Sequence, residues 1–206
     1  MSQLMIQELI DQLLLSSVWE LIALLLALAY LLFAAHQRQW CWLAAGISCT
    51  IYAIIFWQAR LYMEALLQVF YIVMAGYGWW QWQKSVIATE GPKRKFNWRW
   101  HALQWAWVIP AGTIIAILLD VYTDADAVWL DTYTTLFSLL ATWLITQKAY
   151  ETWWYWLVID SVYVYLYWSK GFVATALLFV VYVILVVYAM YRWRADQQNQ
   201  WVLENQ

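Results

Sequence analysis

Asp160 is the one acidic residue near the middle of an apolar stretch, within Trp156-Leu157-Val158-Ile159-Asp160-Ser161-Val162-Tyr163. A charged aspartate at the centre of a membrane helix costs about 2.5–3.5 kcal/mol on the insertion scale, so it normally faces a partner or a watery cavity. Helical spacing puts Trp156, Asp160, Tyr163 and Tyr167 on one face. One anion among aromatic rings suits a flat organic cation. Two other uses stay open: a carboxylate satisfied by a neighbouring hydroxyl with no ligand, and a proton-coupling group. Gln68 is the next candidate, in Leu66-Leu67-Gln68-Val69-Phe70-Tyr71. Its amide wants partners in lipid surroundings and so faces the bundle or a pathway. With Tyr71 it forms an i, i+3 pair, and an interhelical structural bond is the alternative use.

Enzyme chemistry finds little to work with. His36 and His101 lie near the ends of apolar stretches, and no HExxH, Ser/His/Asp set or phosphate loop accompanies them. They are expected to be solvated, interfacial histidines. Cys41 and Cys49 stand about 12 Å apart along a helix, too far for a disulfide. With no CxxC or Cys/His cluster, neither a metal nor a cofactor is expected.

The elements that must position these residues are membrane spans. Of 206 residues, 66% are apolar and 12% charged, against about 45–50% and 25% in a soluble domain. A net charge of −2 without a basic tail excludes nucleic acid as an expected partner. Seven stretches are long and apolar enough to span a bilayer: 18–35, 40–58, 61–83, 98–119, 127–147, 150–169 and 171–191. Residues 1–17 carry Ile6, Leu9, Ile10, Leu13 and Leu14 on one helical face, as in an amphipathic surface helix or a frayed start to the first span. That segment also holds Glu8 and Asp11 and lacks the basic start of a signal peptide. Gly91-Pro92-Lys93-Arg94-Lys95 is a solvent loop, and Asp120, Asp124 and Asp126 mark an acidic turn. Residues 84–126 thus comprise a loop and a linking fourth span, and 195–206 a tail.

Charge sets the orientation. Arg38, Lys84, Lys93, Arg94, Lys95, Arg99, Lys148, Arg192 and Arg194 fall on one side, and only Arg60 and Lys170 on the other. By the positive-inside rule the N-terminus is expected outside and the C-terminus in the cytoplasm. Trp40, Trp42, Trp82, Trp98, Trp100, Trp129, Trp153 and Trp193 lie near span ends, where most are expected to act as interfacial anchors. Gly76 and Gly78 are expected to allow close helix packing.

Laid on itself at an offset of 111 residues, the chain aligns Trp42 with Trp153, Tyr52 with Tyr163, Trp57 with Trp168 and Tyr71 with Tyr182. Ala65-Leu66-Leu67 and Trp82 also meet their counterparts, Ala176-Leu177-Leu178 and Trp193. Ten of the 41 positions from 42 to 82 are identical, and matched Trp and Tyr are hard to obtain by chance. The expected plan is all-α, integral to the membrane: a three-helix repeat (18–83), a linking span, and a second parallel repeat (127–194). Parallel repeats of this 3+1+3 kind occur in SWEET-like transporters, with substrate sites between the units near the bilayer midplane. A retinal protein would need a lysine inside the last helix, and Lys170 lies at the membrane edge. A membrane-embedded binding or assembly subunit is the non-transport alternative.

Leu61-Tyr62, Leu66-Leu67-Gln68-Val69-Phe70 and Tyr77-Gly78-Trp79 resemble the third span of the bacterial PnuC nicotinamide riboside transporters. Lys148-Ala149-Tyr150-Glu151 with Trp153 and Trp156 resembles the start of the family's sixth span. The resemblance implies a seven-span carrier in the bacterial inner membrane, often trimeric, moving a vitamin down its gradient until a cytoplasmic kinase traps it. Where the riboside carriers have asparagines facing the site, this chain has Ser48 and Asp160. An ionised carboxylate only accepts hydrogen bonds, which suits the amine and cationic ring of thiamine. The expectation is therefore a carrier like the thiamine-carrying PnuT branch, with nicotinamide riboside as the alternative and another vitamin such as riboflavin behind them. The substrate-contacting set is Asp160, Trp156, Tyr163, Gln68, Ser48, Tyr71, Trp57 and Trp79.

Overall fold

Long apolar runs wind into helices, even across Pro110 and Gly112, and the computed structural model has seven among the residues it describes (18–58, 60, 62–87, 96–122, 127–169 and 171–204). They are α1 (Val18–Ala35), α2 (Trp40–Gln58), α3 (Tyr62–Ile87), α4 (Trp98–Tyr122), α5 (Val128–Thr146), α6 (Thr152–Ser169) and α7 (Val173–Glu204). Five are long and apolar enough by composition to cross a membrane: α1, α2, α4, α5 and, over 175–196, α7. The other two, α3 and α6, fall outside that set because Trp, Tyr and polar residues replace aliphatic ones. The last helix runs on well past the expected end at 191 and takes in most of the expected tail. The amphipathic segment 1–17, the loop at 91–95, Asp124, Asp126 and Lys170 lie outside the described residues.

The helix ends are set by left-handed caps. At the end of α1, Gln37 (φ 52°) turns the chain, with Gln37 N–H donating to Ala34 O (3.0 Å) and Arg38 N–H to Phe33 O (2.9 Å). These are the two bonds of a Schellman cap. Lys148 (φ 51°) closes α5 in the same way, through Lys148 N–H to Ile145 O (3.0 Å) and Ala149 N–H to Leu144 O (3.1 Å). Each residue of the second cap lies 111 positions after its counterpart in the first. Arg60 (φ 61°) and Gly171 (φ 80°), after α2 and α6, share that offset and donate to Trp57 O and Trp168 O, both at 3.1 Å. Only Gly171 is free of the Cβ penalty for this conformation.

Packing divides the helices into α1–α2–α3 and α5–α6–α7, which meet where α1 touches α7 and α3 touches α5, while α4 lies against α5. At the junction, Trp82 Nε1–H donates to Ile145 O (3.1 Å) and Trp193 Nε1–H donates to Ala34 O (3.0 Å). Donors and acceptors are again 111 apart. Trp42 meets Trp82 edge-on at 5.4 Å, and Trp153 meets Trp193 edge-on at 5.3 Å. These four indoles are at most 3% exposed, so they are core rather than interfacial anchors. Each is large enough to fill the gap between helices, and two find a carbonyl for the indole N–H. Trp40, Trp98 and Trp129 are exposed, as an anchor requires. Gly78 packs directly under the Trp42 ring, whereas Gly76 has open space beside it and closes no contact. The outer faces carry Trp107, Ile114, Val121 and other exposed apolar side chains, a surface suited to lipid rather than water.

Candidate functional site

Between the two triplets lies a cavity of about 440 Å³. From α6 it receives Trp156, Asp160, Tyr163 and Tyr167, the face anticipated from spacing. From α3 it receives Glu64, Leu67, Gln68 and Tyr71, which follow i, i+3, i+4, i+7. Ser48, Cys49, Tyr52 and Phe56 enter from α2, Tyr30 from α1, Ser138 and Thr142 from α5, and Phe179 and Tyr182 from α7.

Asp160 is 5% exposed. No described residue hydrogen-bonds or pairs with its carboxylate. A buried carboxylate without a partner is costly, and here it faces an aromatic hollow that can admit one. Tyr163 and Tyr167 stack (5.9 Å between centroids), and Phe179 lies against both, at 4.9 and 5.4 Å. Across the cavity Tyr52 stacks on Phe56 at 5.7 Å, the counterpart of the Tyr163–Tyr167 pair at the same 111-residue offset.

Six of the eight anticipated site residues line this cavity: Asp160, Trp156, Tyr163, Gln68, Ser48 and Tyr71. Two of the six are already engaged. Ser48 is buried and donates its hydroxyl to Ala23 O of α1 (2.7 Å). The Tyr71 hydroxyl is bonded to Ser138 Oγ of α5 (2.9 Å), joining the triplets across the cavity wall. Gln68 carries no such bond among the described residues, so its amide faces the cavity with donors and an acceptor to spare. Trp57 and Trp79 are not part of the lining. Trp57, at the end of α2, is 65% exposed. Trp79 sits beside the tryptophan core and meets Trp40 edge-on, because it stands about 16 Å further along α3 than Gln68.

Sequence reasoning missed Cys49, Phe179, Glu64 and Tyr30 as lining residues. The signal for the first two was present. The 111-residue offset carries Asp160 onto Cys49 and Gln68 onto Phe179, so each candidate folded through the repeat names a second one. His101 is half-buried rather than simply solvated, with Nδ1 2.9 Å from the Tyr155 hydroxyl. It borders a larger hollow of about 880 Å³ between α4, α5 and α6. That hollow is walled by Trp105, Ile109, Phe137, Val158 and similar side chains, and the carboxylate in its lining, Glu151, accepts from Phe96 N–H (3.2 Å).

The family profile for nicotinamide mononucleotide transporters matches residues 17–195. The chain belongs to that family. Among the relatives of this nicotinamide mononucleotide transporter family member, the nicotinamide riboside transporter PnuC of Escherichia coli (strain K12) is 25% identical over 177 residues, covering 71% of this chain and 72% of the relative. The riboflavin/roseoflavin transporter RibM of Streptomyces davaonensis is 26% identical over 194 residues, 91% of each chain. The crystal structure of the vitamin B3 transporter PnuC matches with a TM-score of 0.70 at 20% identity, over 92% of this chain and 86% of that one. The fold is therefore that of PnuC, an all-helical, multi-pass membrane protein of a transporter family.

Proposed function

We propose that this chain carries a flat, cationic vitamin across the membrane by facilitated diffusion, with nicotinamide riboside as the first candidate. The observation that carries the reading is Asp160: a buried, unpartnered carboxylate in an aromatic-walled cavity between two helix triplets. A pyridinium ring can lie between the tyrosines while its charge faces the carboxylate, and Gln68 can meet a carboxamide with both a donor and an acceptor. The naming of PnuC relatives supports the same choice. Thiamine is a second reading, favoured by Asp160 itself, since the carboxylate accepts a bond from an amine and balances a thiazolium charge. Riboflavin, neutral at its ring system, has no charge with which to answer Asp160.

The remaining features follow from the same organisation. The paired caps and paired tryptophan bonds support reading residues 18–83 and 127–194 as a parallel repeat around the cavity, joined by α4. The nine-to-two bias in basic residues supports an external N-terminus and a cytoplasmic C-terminus. A proton relay usually strings several ionisable groups together, and the spans offer a single carboxylate at mid-depth. Accumulation then depends on phosphorylation by a cytoplasmic kinase. A homotrimer is the assembly proposed from the resemblance.

Competition in sealed vesicles containing only this protein tests the substrate. Labelled nicotinamide riboside is expected to enter, and unlabelled riboside to compete better than riboflavin. Stronger competition by thiamine would establish the second reading. Entry of neither cation would overturn both.

A further inference from the structure

Asp160 and the aromatic walls account for the interior of the cavity but leave its mouth unexplained. Glu64, in the first turn of α3, is exposed and lines the cavity. It stands one turn above Gln68 on the cavity-facing side of the helix. Three more helices begin at the same end of the bundle, and two of them carry a carboxylate in the first turn: Glu20 on α1 and Asp131 on α5. Glu64 lines the opening itself, and Asp131 and Glu20 stand at the same end outside the lining. Glu64 is within electrostatic reach of Asp131, Tyr167 is within reach of both, and Tyr52 is within reach of Glu20. Arg60 is the described basic residue at this end, and it is exposed.

A first-turn carboxylate has an ordinary structural use, because it complements the positive end of the helix dipole. That use explains each residue taken singly. It does not explain why Glu64 also lines a cavity whose interior ends on an unpartnered carboxylate that is 5% exposed. Seven residues of helix separate Tyr167 from Asp160, so Asp160 lies about 10 Å deeper. The stacked Tyr167, Phe179 and Tyr163 rings fill that interval. The sequence of groups from mouth to centre is then carboxylate, aromatic ladder, carboxylate.

We propose that Glu64 forms an outer capture site for organic cations, from which the substrate passes along the Tyr167–Phe179–Tyr163 rings to Asp160. The proposal rests on the cationic-substrate reading and adds a second site to it. A cleft lined by one sign of charge focuses the field and raises both the local concentration of a counter-charged substrate and its on-rate. The effect weakens as salt shortens the Debye length, which is about 30 Å at 0.01 M and 8 Å at 0.15 M. Tyr52 and Phe56 on the opposite wall give the captured cation a second stacked pair to lie against.

The test uses the full-length protein in sealed vesicles, with initial rates of labelled nicotinamide riboside and labelled thiamine uptake measured at low and high ionic strength. Glu64→Gln is expected to lower the sub-saturating rate about two- to fivefold at low ionic strength. The deficit should shrink in concentrated salt, and the saturating rate should fall less. Glu64→Asp, which keeps the charge, should recover most of the loss. An unchanged sub-saturating rate would overturn the capture site. So would a loss that is equal at both ionic strengths and is not recovered by Glu64→Asp, since that marks a structural role. If the wild-type protein carries neither cation, the cationic-substrate reading fails and this proposal with it; transport by wild type with no salt-dependent Glu64 effect removes the capture site alone.

Discussion

Asp160 was legible in the sequence because lipid makes a mid-span carboxylate expensive, and its aromatic face followed from the 3.6-residue period. Ser48 shows the limit of that reasoning. Its position on the cavity is as anticipated, but its hydroxyl is occupied by Ala23 O, a partner 25 residues away that no local pattern names. Replacing Asp160 with Asn keeps the shape and removes the charge. Loss of a charge-assisted hydrogen bond worth about 1.5–3 kcal/mol should weaken thiamine binding roughly tenfold to a hundredfold. Nicotinamide riboside should lose less, because the amide returns a partner for its carboxamide. Calorimetry on purified, monodisperse Asp160→Asn protein checks this; wild-type affinity for both compounds would exclude a contact with Asp160. At Gly78 the same scale decides packing. A Cβ there would enter the Trp42 ring, whereas one at Gly76 would meet nothing. Gly78→Ala should therefore lower the melting temperature in detergent by an amount matching about 1–3 kcal/mol of overpacking, and Gly76→Ala should leave it close to wild type.

Among the elements, the end of α1 and both ends of α2 could be read to the residue, since the apolar runs end abruptly before His36-Gln37 and at Gln58. The last helix could not, because charge and polarity end a membrane span without ending a helix. The tryptophans divide along a similar line. Position near a span end suits both an anchor and a junction between triplets, and only packing separates Trp40, exposed, from Trp82 and Trp193, buried. The paired bonds Trp82–Ile145 O and Trp193–Ala34 O hold the triplets together at the end of the cavity opposite Glu64. Trp82→Phe and Trp193→Phe each remove one of two hydrogen bonds to a carbonyl that keeps its cap donor, Lys148 N–H or Gln37 N–H, at a cost of about 0.5–1.5 kcal/mol beyond the lost volume. The two substitutions should lower thermal stability by similar amounts. A large effect from one and none from the other would show that the two contacts are not equivalent.

The described residues form a tryptophan core at one end, with Glu64 at the other and an aromatic-walled cavity holding Asp160 between. The repeat was legible because aligned Trp and Tyr survive in an apolar background. The enclosed cavity was not legible, because it forms from the contacts of α1 with α7 and α3 with α5, far apart in sequence. Orientation has a direct check: in an otherwise cysteine-free chain, an impermeant thiol reagent applied to intact cells should label a cysteine at position 124 and spare one at 93. The central claim, that this protein alone is a passive carrier of a flat cationic vitamin, is tested by following labelled nicotinamide riboside into sealed vesicles that contain no kinase. The internal concentration should rise to the external value and stop there, with or without an imposed pH or sodium gradient. No entry above protein-free vesicles, or accumulation beyond the external concentration under such a gradient, would contradict it.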